Sequence, residues 1–119
     1  MNNEIQPKKL VVLGATGSIG QSTLALARNY PERFKISAMT ANKSTKQLLR
    51  DSLEFQPEFV HLMDENIATG SESEFALHNI SLHSGLNDLL SYIRNCDADI
   101  VIAGMVGNVG LMPVFSSLQ

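Results

Sequence analysis

The chain has one cysteine, Cys96, among 119 residues. A lone cysteine closes no internal disulfide and offers no CxxC pair to a metal. It excludes a disulfide scaffold or zinc ribbon and points to a reducing compartment, the cytoplasm. Basic residues are also scarce: nine Lys and Arg stand against twelve Asp and Glu, for a formal net charge of −3, and none are clustered. Nucleic acids and anionic membrane surfaces call for clustered positive charge, so neither is an expected partner. No apolar run approaches the roughly 20 residues that a membrane helix needs. The opening Met1-Asn2-Asn3-Glu4-Ile5-Gln6-Pro7 lacks the apolar core of a signal peptide and is expected to be a flexible leader over residues 1–7. Internal repeats and low-complexity tracts are missing, and Ser71-Glu72-Ser73-Glu74 is too short for a linker. What is left is a globular composition, 44% hydrophobic and 18% charged, at the length of one domain.

Apolar periodicity divides that domain into alternating strands and helices. Lys9–Leu13 reads as a first strand, followed by a helix over about Ser18–Asn29. Ile19, Thr23, Leu26, Ala27 and Tyr30 form its expected buried face, and Pro31 ends it. Phe34–Met39 reads as strand two and Ala41-Asn42-Lys43 as a turn, with Ser44 as N-cap and Gln47 at capping-box spacing. Leu48, Leu49, Ser52, Leu53 and Phe55 mark the next helix face, closed by Pro57, and Phe59–Met63 a third strand. Two short helices are expected between Asp64 and Leu77, then a brief strand at Ile80–His83. Leu86, Leu89, Leu90 and Ile93 give an amphipathic helix, Asp99–Ala103 a buried strand, and Leu111, Val114, Phe115 and Leu118 a last helix face with Pro113 in its first turn. Strand–helix alternation implies an α/β fold, a Rossmann-like doubly wound parallel sheet. Residues 8–119 hold one βαβαβ half and the opening of the second, and the chain stops inside a helical pattern. We therefore expect a dinucleotide-binding domain cut before its end.

The chemistry is concentrated where strand one breaks into glycines. Leu10-Val11-Val12-Leu13 runs into Gly14-Ala15-Thr16-Gly17-Ser18-Ile19-Gly20, three glycines spaced by three between a strand and a helix. In such a turn Gly14 permits the tight reversal, Gly17 lets a pyrophosphate reach the backbone, and Gly20 lets the helix lie close to the sheet. Amides at Gly17, Ser18 and Ile19 are expected to face phosphate, aided by the positive end of the helix and by the hydroxyls of Thr16 and Ser18.

A second absence chooses the cofactor. NAD sites place an Asp or Glu at the end of strand two to accept from the ribose 2′-hydroxyl. Here the residues are Thr40-Ala41-Asn42-Lys43-Ser44, with no carboxylate. Lys43 attracts a 2′-phosphate and Ser44 donates to it, so NADP is expected rather than NAD.

The stretch Leu13–Leu24 resembles the opening of the 1-deoxy-D-xylulose 5-phosphate reductoisomerase family. Pro31-Glu32-Arg33-Phe34, Leu53-Glu54-Phe55-Gln56-Pro57, Gly85-Leu86 and Ala103–Pro113 match it further along, in order, so that the resemblance spans residues 8–119. It implies an NADPH-dependent oxidoreductase of the non-mevalonate isoprenoid route. Such an enzyme rearranges 1-deoxy-D-xylulose 5-phosphate and reduces it to 2-C-methyl-D-erythritol 4-phosphate with Mg2+ or Mn2+, working as a homodimer. By resemblance Thr16, Gly17, Ser18 and Ile19 hold the pyrophosphate, Asn42, Lys43 and Ser44 form the 2′-phosphate loop, and Ala103–Pro113 lines the nicotinamide side. The family usually has Gly or Ala in place of Asn42, and Asn in place of Ser44. Its Asn-Lys-Glu-Ser segment, metal carboxylates and substrate-phosphate residues belong after Gln119. No catalytic or metal-ligating residue is therefore assigned in this chain, which is expected to bind cofactor without turnover.

Two alternatives stay open on sequence. An aspartate-semialdehyde dehydrogenase-like domain also carries a Gly-Ala-Thr-Gly turn, and a non-catalytic NADP-binding sensor would carry the same cofactor motif. The remaining chemistry-bearing residues are read as structural. His61, His78 and His83 lack metal-ligand spacing, and Cys96 has no base near it in sequence. Asp97 and Asp99 precede the last strand at the end away from the cofactor, and Met105 and Met112 are packing residues.

Overall fold

The computed structural model describes residues 6–103. The leader up to Ile5, the helix face at Leu111–Leu118, the methionines Met105 and Met112, and all but Ala103 of the Ala103–Pro113 motif lie outside the described residues.

The elements run β1 (Lys8–Leu13), α1 (Ser18–Asn29), β2 (Phe34–Ala41), α2 (Thr45–Phe55), β3 (Phe59–Leu62), α3 (Glu65–Ala76), β4 (Leu82–Ser84), α4 (Gly85–Asn95) and β5 (Ile100–Ala103). All strand pairings are parallel, in the order β4-β3-β2-β1-β5. The chain steps outward from β1 to β4 in one direction, then returns to lay β5 on the other side of β1. That reversal makes the carboxyl end of β1 a topological switch point, where open α/β sheets bind ligands.

The central strands β1, β2 and β3 are buried on both faces, as their near-continuous apolar runs require. On one face Leu10, Val12, Ile36, Met39, Val60 and Leu62 meet Leu24 and Ala27 of α1, Leu48 and Leu49 of α2, and Ala68 and Phe75 of α3. On the other, Val11, Leu13, Ala38 and Phe59 meet Leu89 and Ile93 of α4. A bulge makes the first face continuous: Leu10 pairs with Ile36 but Val11 with Ala38, so Ser37 is the extra residue. Ile36 and Met39, three apart, then share a face. The buried Ser37 hydroxyl donates to the Leu10 carbonyl at 3.2 Å.

Several elements differ from their sequence reading for identifiable reasons. In α1 the buried residues are Gly20, Thr23, Leu24 and Ala27, while Ile19, Leu26 and Tyr30 are exposed. Gly20 abuts the backbone of Gly14 and Ala15, and that contact sets the helix rotation. In α2, Asp51 is buried and Leu53 is exposed. Ser44 occupies the N-cap of α2 but its side chain makes no capping bond, and Gln47 turns instead to Asp51, so no capping box forms. One helix, α3, replaces the two short ones, capped by the Asp64 carboxylate accepting from the Ile67 amide at 3.0 Å. Leu86 of α4 is exposed, and Ile100 of β5 is exposed with the rest of that strand half-buried. Among the described residues β5 is hydrogen-bonded to β1 alone.

Candidate cofactor site

The glycine turn follows directly from β1. Gly14 has φ +77°, a left-handed conformation that costs glycine little and other residues more. The chain reverses there, and the Gly17 amide donates to the Gly14 carbonyl at 3.1 Å. Gly17 is the N-cap of α1, its carbonyl accepting from Gln21 at 2.8 Å. Ser18, Ile19 and Gly20 therefore carry the first-turn amides that have no partner inside the helix. No side chain caps α1 and no acidic residue sits in its first turn, so nothing among the described residues of the helix start neutralises its positive end. Gly17 itself is exposed with φ −81°, a conformation open to any residue. The backbone does not demand glycine at that position.

The second half of the candidate site is the exposed loop Asn42-Lys43-Ser44 at the carboxyl end of β2. It ends at α2, leaving the Ser44 hydroxyl without a capping role. The structure brings this loop and Thr16–Ile19 to the same end of two adjacent strands and ties them together. The Gly14 amide donates to Thr40 Oγ1 at 3.1 Å, and the Ala15 amide to the Thr40 carbonyl at 2.7 Å.

Sequence reasoning passed over Thr40, which is 3% exposed. It also passed over Gln21 and Asp51, whose side chains are bonded at 2.8 Å behind the turn. A signal for Asp51 was present: it lies three residues after Leu48 and four before Phe55, on the helix face that the apolar period turns inward.

The other singled-out residues lie elsewhere. The Asp99 carboxylate accepts from the Lys9 amide at 2.8 Å, and the Asp99 amide donates to the Lys9 carbonyl at 2.9 Å. The Lys9 ammonium, 2.8 Å from Asp97, holds that carboxyl below its usual range. Both acids thus fasten the start of β5 to the start of β1, away from the turn. Half-buried Cys96 donates weakly to the Ile93 carbonyl at 3.4 Å, and His78 is exposed. A cavity of about 270 Å³ between the end of α2 and the approach to β4, lined by Ser52, Gln56, His78 and Asn79, is at the opposite end of the strands from the turn.

His61 of β3 is fully buried, between Phe59 and the start of α4. Its Nε2–H donates to the Gly85 carbonyl at 2.7 Å, while Nδ1 has no partner among the described residues. Burial lowers its pKa; the Gly85 bond and Asp88 oppose that shift, and His83 adds to it. Because the folded-state pKa lies below the unfolded one, this group's contribution to stability is complete above the unfolded value, about 6.5. It is lost as pH falls from there toward the folded value. We expect the urea midpoint to drop between pH 7.5 and 5.5, and His61→Phe, which keeps a ring against Phe59, to flatten that drop. An equal slope in the variant would assign the effect elsewhere.

The family model for 1-deoxy-D-xylulose 5-phosphate reductoisomerase matches residues 10–119. The reductoisomerase of Tolumonas auensis is 37% identical over 112 residues, which cover 92% of this chain and 28% of that protein. That of Halothermothrix orenii is also 37% identical, over 94% of this chain and 29% of its own length. Among solved structures, the reductoisomerase from Zymomonas mobilis in complex with NADPH superposes with a TM-score of 0.84 at 28% identity, over 96% of this chain and 30% of that one. A reductoisomerase in complex with magnesium gives 0.84 at 31% identity, covering 93% of this chain and 28% of that one. The chain thus spans somewhat over a quarter of the length of its relatives. A matched family model over nearly its whole length, the glycine turn and the shared parallel sheet together make it a member of the 1-deoxy-D-xylulose 5-phosphate reductoisomerase family.

Proposed function

We propose that this chain is the NADPH-binding part of an enzyme that converts 1-deoxy-D-xylulose 5-phosphate to 2-C-methyl-D-erythritol 4-phosphate in the cytoplasm. The observation that carries the reading is the double hydrogen bond from Gly14 and Ala15 to Thr40. It sets the unpartnered helix amides of α1 beside a loop that has a lysine and no acid. In this reading the amides of Ser18 and Ile19 bind the pyrophosphate, Thr16 flanks it, and Gly17, whose own amide is spent on the Gly14 carbonyl, keeps the approach clear of a side chain. Asn42, Lys43 and Ser44 bind the 2′-phosphate, Lys43 by charge and Ser44 by a hydroxyl that makes no capping bond to α2. When bound, the cofactor supplies hydride; the residues named here hold and orient it. Metal ligands, the substrate-phosphate site and the homodimer contacts are assigned to no residue of this chain. The 119 residues are expected to bind NADPH without turning substrate over, and activity of the purified chain above a contaminant control would contradict that.

Lys43→Glu tests the assignment. The loss of one charged hydrogen bond is expected to weaken NADPH binding by about 1.5–3 kcal/mol, measured by calorimetric titration, and NADH binding much less. Equal losses for the two cofactors would remove Lys43 from the 2′-phosphate site.

A further inference from the structure

Behind the glycine turn, side chains from two helices meet on one carboxylate. Asp51 is 2% exposed, and the groups bonded to it are amides. Its Oδ2 accepts from Gln21 Nε2 at 2.8 Å and its Oδ1 from Gln47 Nε2 at 3.1 Å. The same Gln21 nitrogen donates its second hydrogen to the Ala15 carbonyl at 2.9 Å. Taking a carboxylate out of water is costly unless it is fully bonded, and an apolar residue at this inward position would have extended the core without that cost. The network reaches both halves of the candidate site: Gln21 grips the turn, and Gln47 lies one helical turn beyond the loop that ends at Ser44. The helices α1 and α2 are joined again near their far ends by Arg28 and Glu54, at 2.5 and 2.8 Å on the surface.

We infer that Asp51, acting through Gln21 and Gln47, is a positioning residue that fixes the spacing between the turn and the loop, and thereby sets the preference for a dinucleotide carrying a 2′-phosphate. The inference rests on the NADPH reading above. A ligand with two anionic groups gains from both grips only if their separation is held, because the second contact is then intramolecular. Each grip alone does not depend on that separation.

The test uses the full chain with NADPH, NADH, ADP and adenosine 2′-monophosphate, at a temperature where every variant is folded. Asp51→Leu is expected to weaken NADPH about tenfold while ADP and adenosine 2′-monophosphate change less than about twofold, since only the bridging ligand needs the fixed spacing. The NADPH-over-NADH preference falls with it. Gln21→Met, which leaves the Asp51–Gln47 bond in place, is expected to reproduce the selective loss and is decisive if Asp51→Leu does not fold. Asp51→Asn, which keeps an acceptor for one amide, is expected to restore part of the preference. Glu54→Gln, at the other helix junction, leaves it unchanged. An unchanged NADPH affinity, or equal losses for all four ligands, overturns the positioning role alone. Failure of the unaltered chain to bind NADPH overturns the functional reading and this inference with it.

Discussion

Gly20→Ala is expected to lower the unfolding free energy by about 3 kcal/mol, the upper end of ordinary overpacking, and to abolish NADPH binding. A Cβ on Gly20 would lie 2.6 Å from Ala15 Cα and from the Ala15 carbonyl oxygen, and closer still to that of Gly14. These are backbone atoms, with no flexible side-chain end to swing away. They are also held: both residues donate to Thr40, and the Ala15 carbonyl accepts from Gln21. Relief therefore requires α1 to lift from the sheet or the turn to open, and either movement displaces the first-turn amides. Alanine's helix propensity advantage of about 1 kcal/mol works in the other direction and is too small to compensate. Gly70 of α3 supplies the control. No described atom outside its own helix lies within 4 Å of a Cβ built there, so Gly70→Ala should stabilise by up to about 1 kcal/mol. Urea unfolding followed by circular dichroism separates the two. A Gly20→Ala chain as stable as the parent would show that the close approach is not needed.

The same contact explains what could be read from sequence and what could not. The glycine turn, the strand–helix alternation and the acid-free loop are local signals. The turn, α1 and α2 accordingly stand where the residues place them, as do the core strands, except that β2 runs on to Ala41, which had read as the start of a turn. The rotation of α1 is a tertiary matter. Period alone allowed a face of Ile19, Leu26 and Tyr30, but Gly20 must touch Gly14 and Ala15, and that turns these three outward. The capping box failed for a related reason. Gln47 had the spacing to serve Ser44, but a buried carboxylate four residues on was the stronger acceptor. Of the candidate site, the residues facing the ligand were legible, because phosphate binding needs particular local chemistry. The residues that hold them in place, Thr40, Gln21 and Asp51, were not, because each acts across 26 to 30 positions or on a neighbouring element.

Phe75→Ala is expected to cost about 3–5 kcal/mol of stability, the range for deleting a buried ring, while leaving NADPH affinity intact in whatever fraction remains folded. Among the described residues, Phe75 heads the fully buried side chains by volume. It is the largest anchor of its helix, whose other core residues are the buried Ala68 and the half-buried Ile67. Its backbone matters as well: the Phe75 carbonyl accepts from His78 and Ile80, both at 3.0 Å, closing the turn that leads into β4. Removing the ring leaves a void between α3 and the sheet and loosens the outer unit α3–β4. The turn and the loop on β1 and β2 keep their own ties through Thr40. With a domain stability of about 5–15 kcal/mol, such a loss is a large share of the whole, so the effect should appear first as faster amide exchange in α3. The two substitutions therefore separate the functions of the core. Gly20→Ala should remove binding together with stability, and Phe75→Ala should remove stability alone. A Phe75→Ala chain that stays folded at low temperature yet no longer binds NADPH would mean that α3 supports the site in a way that the ties through Thr40 do not explain.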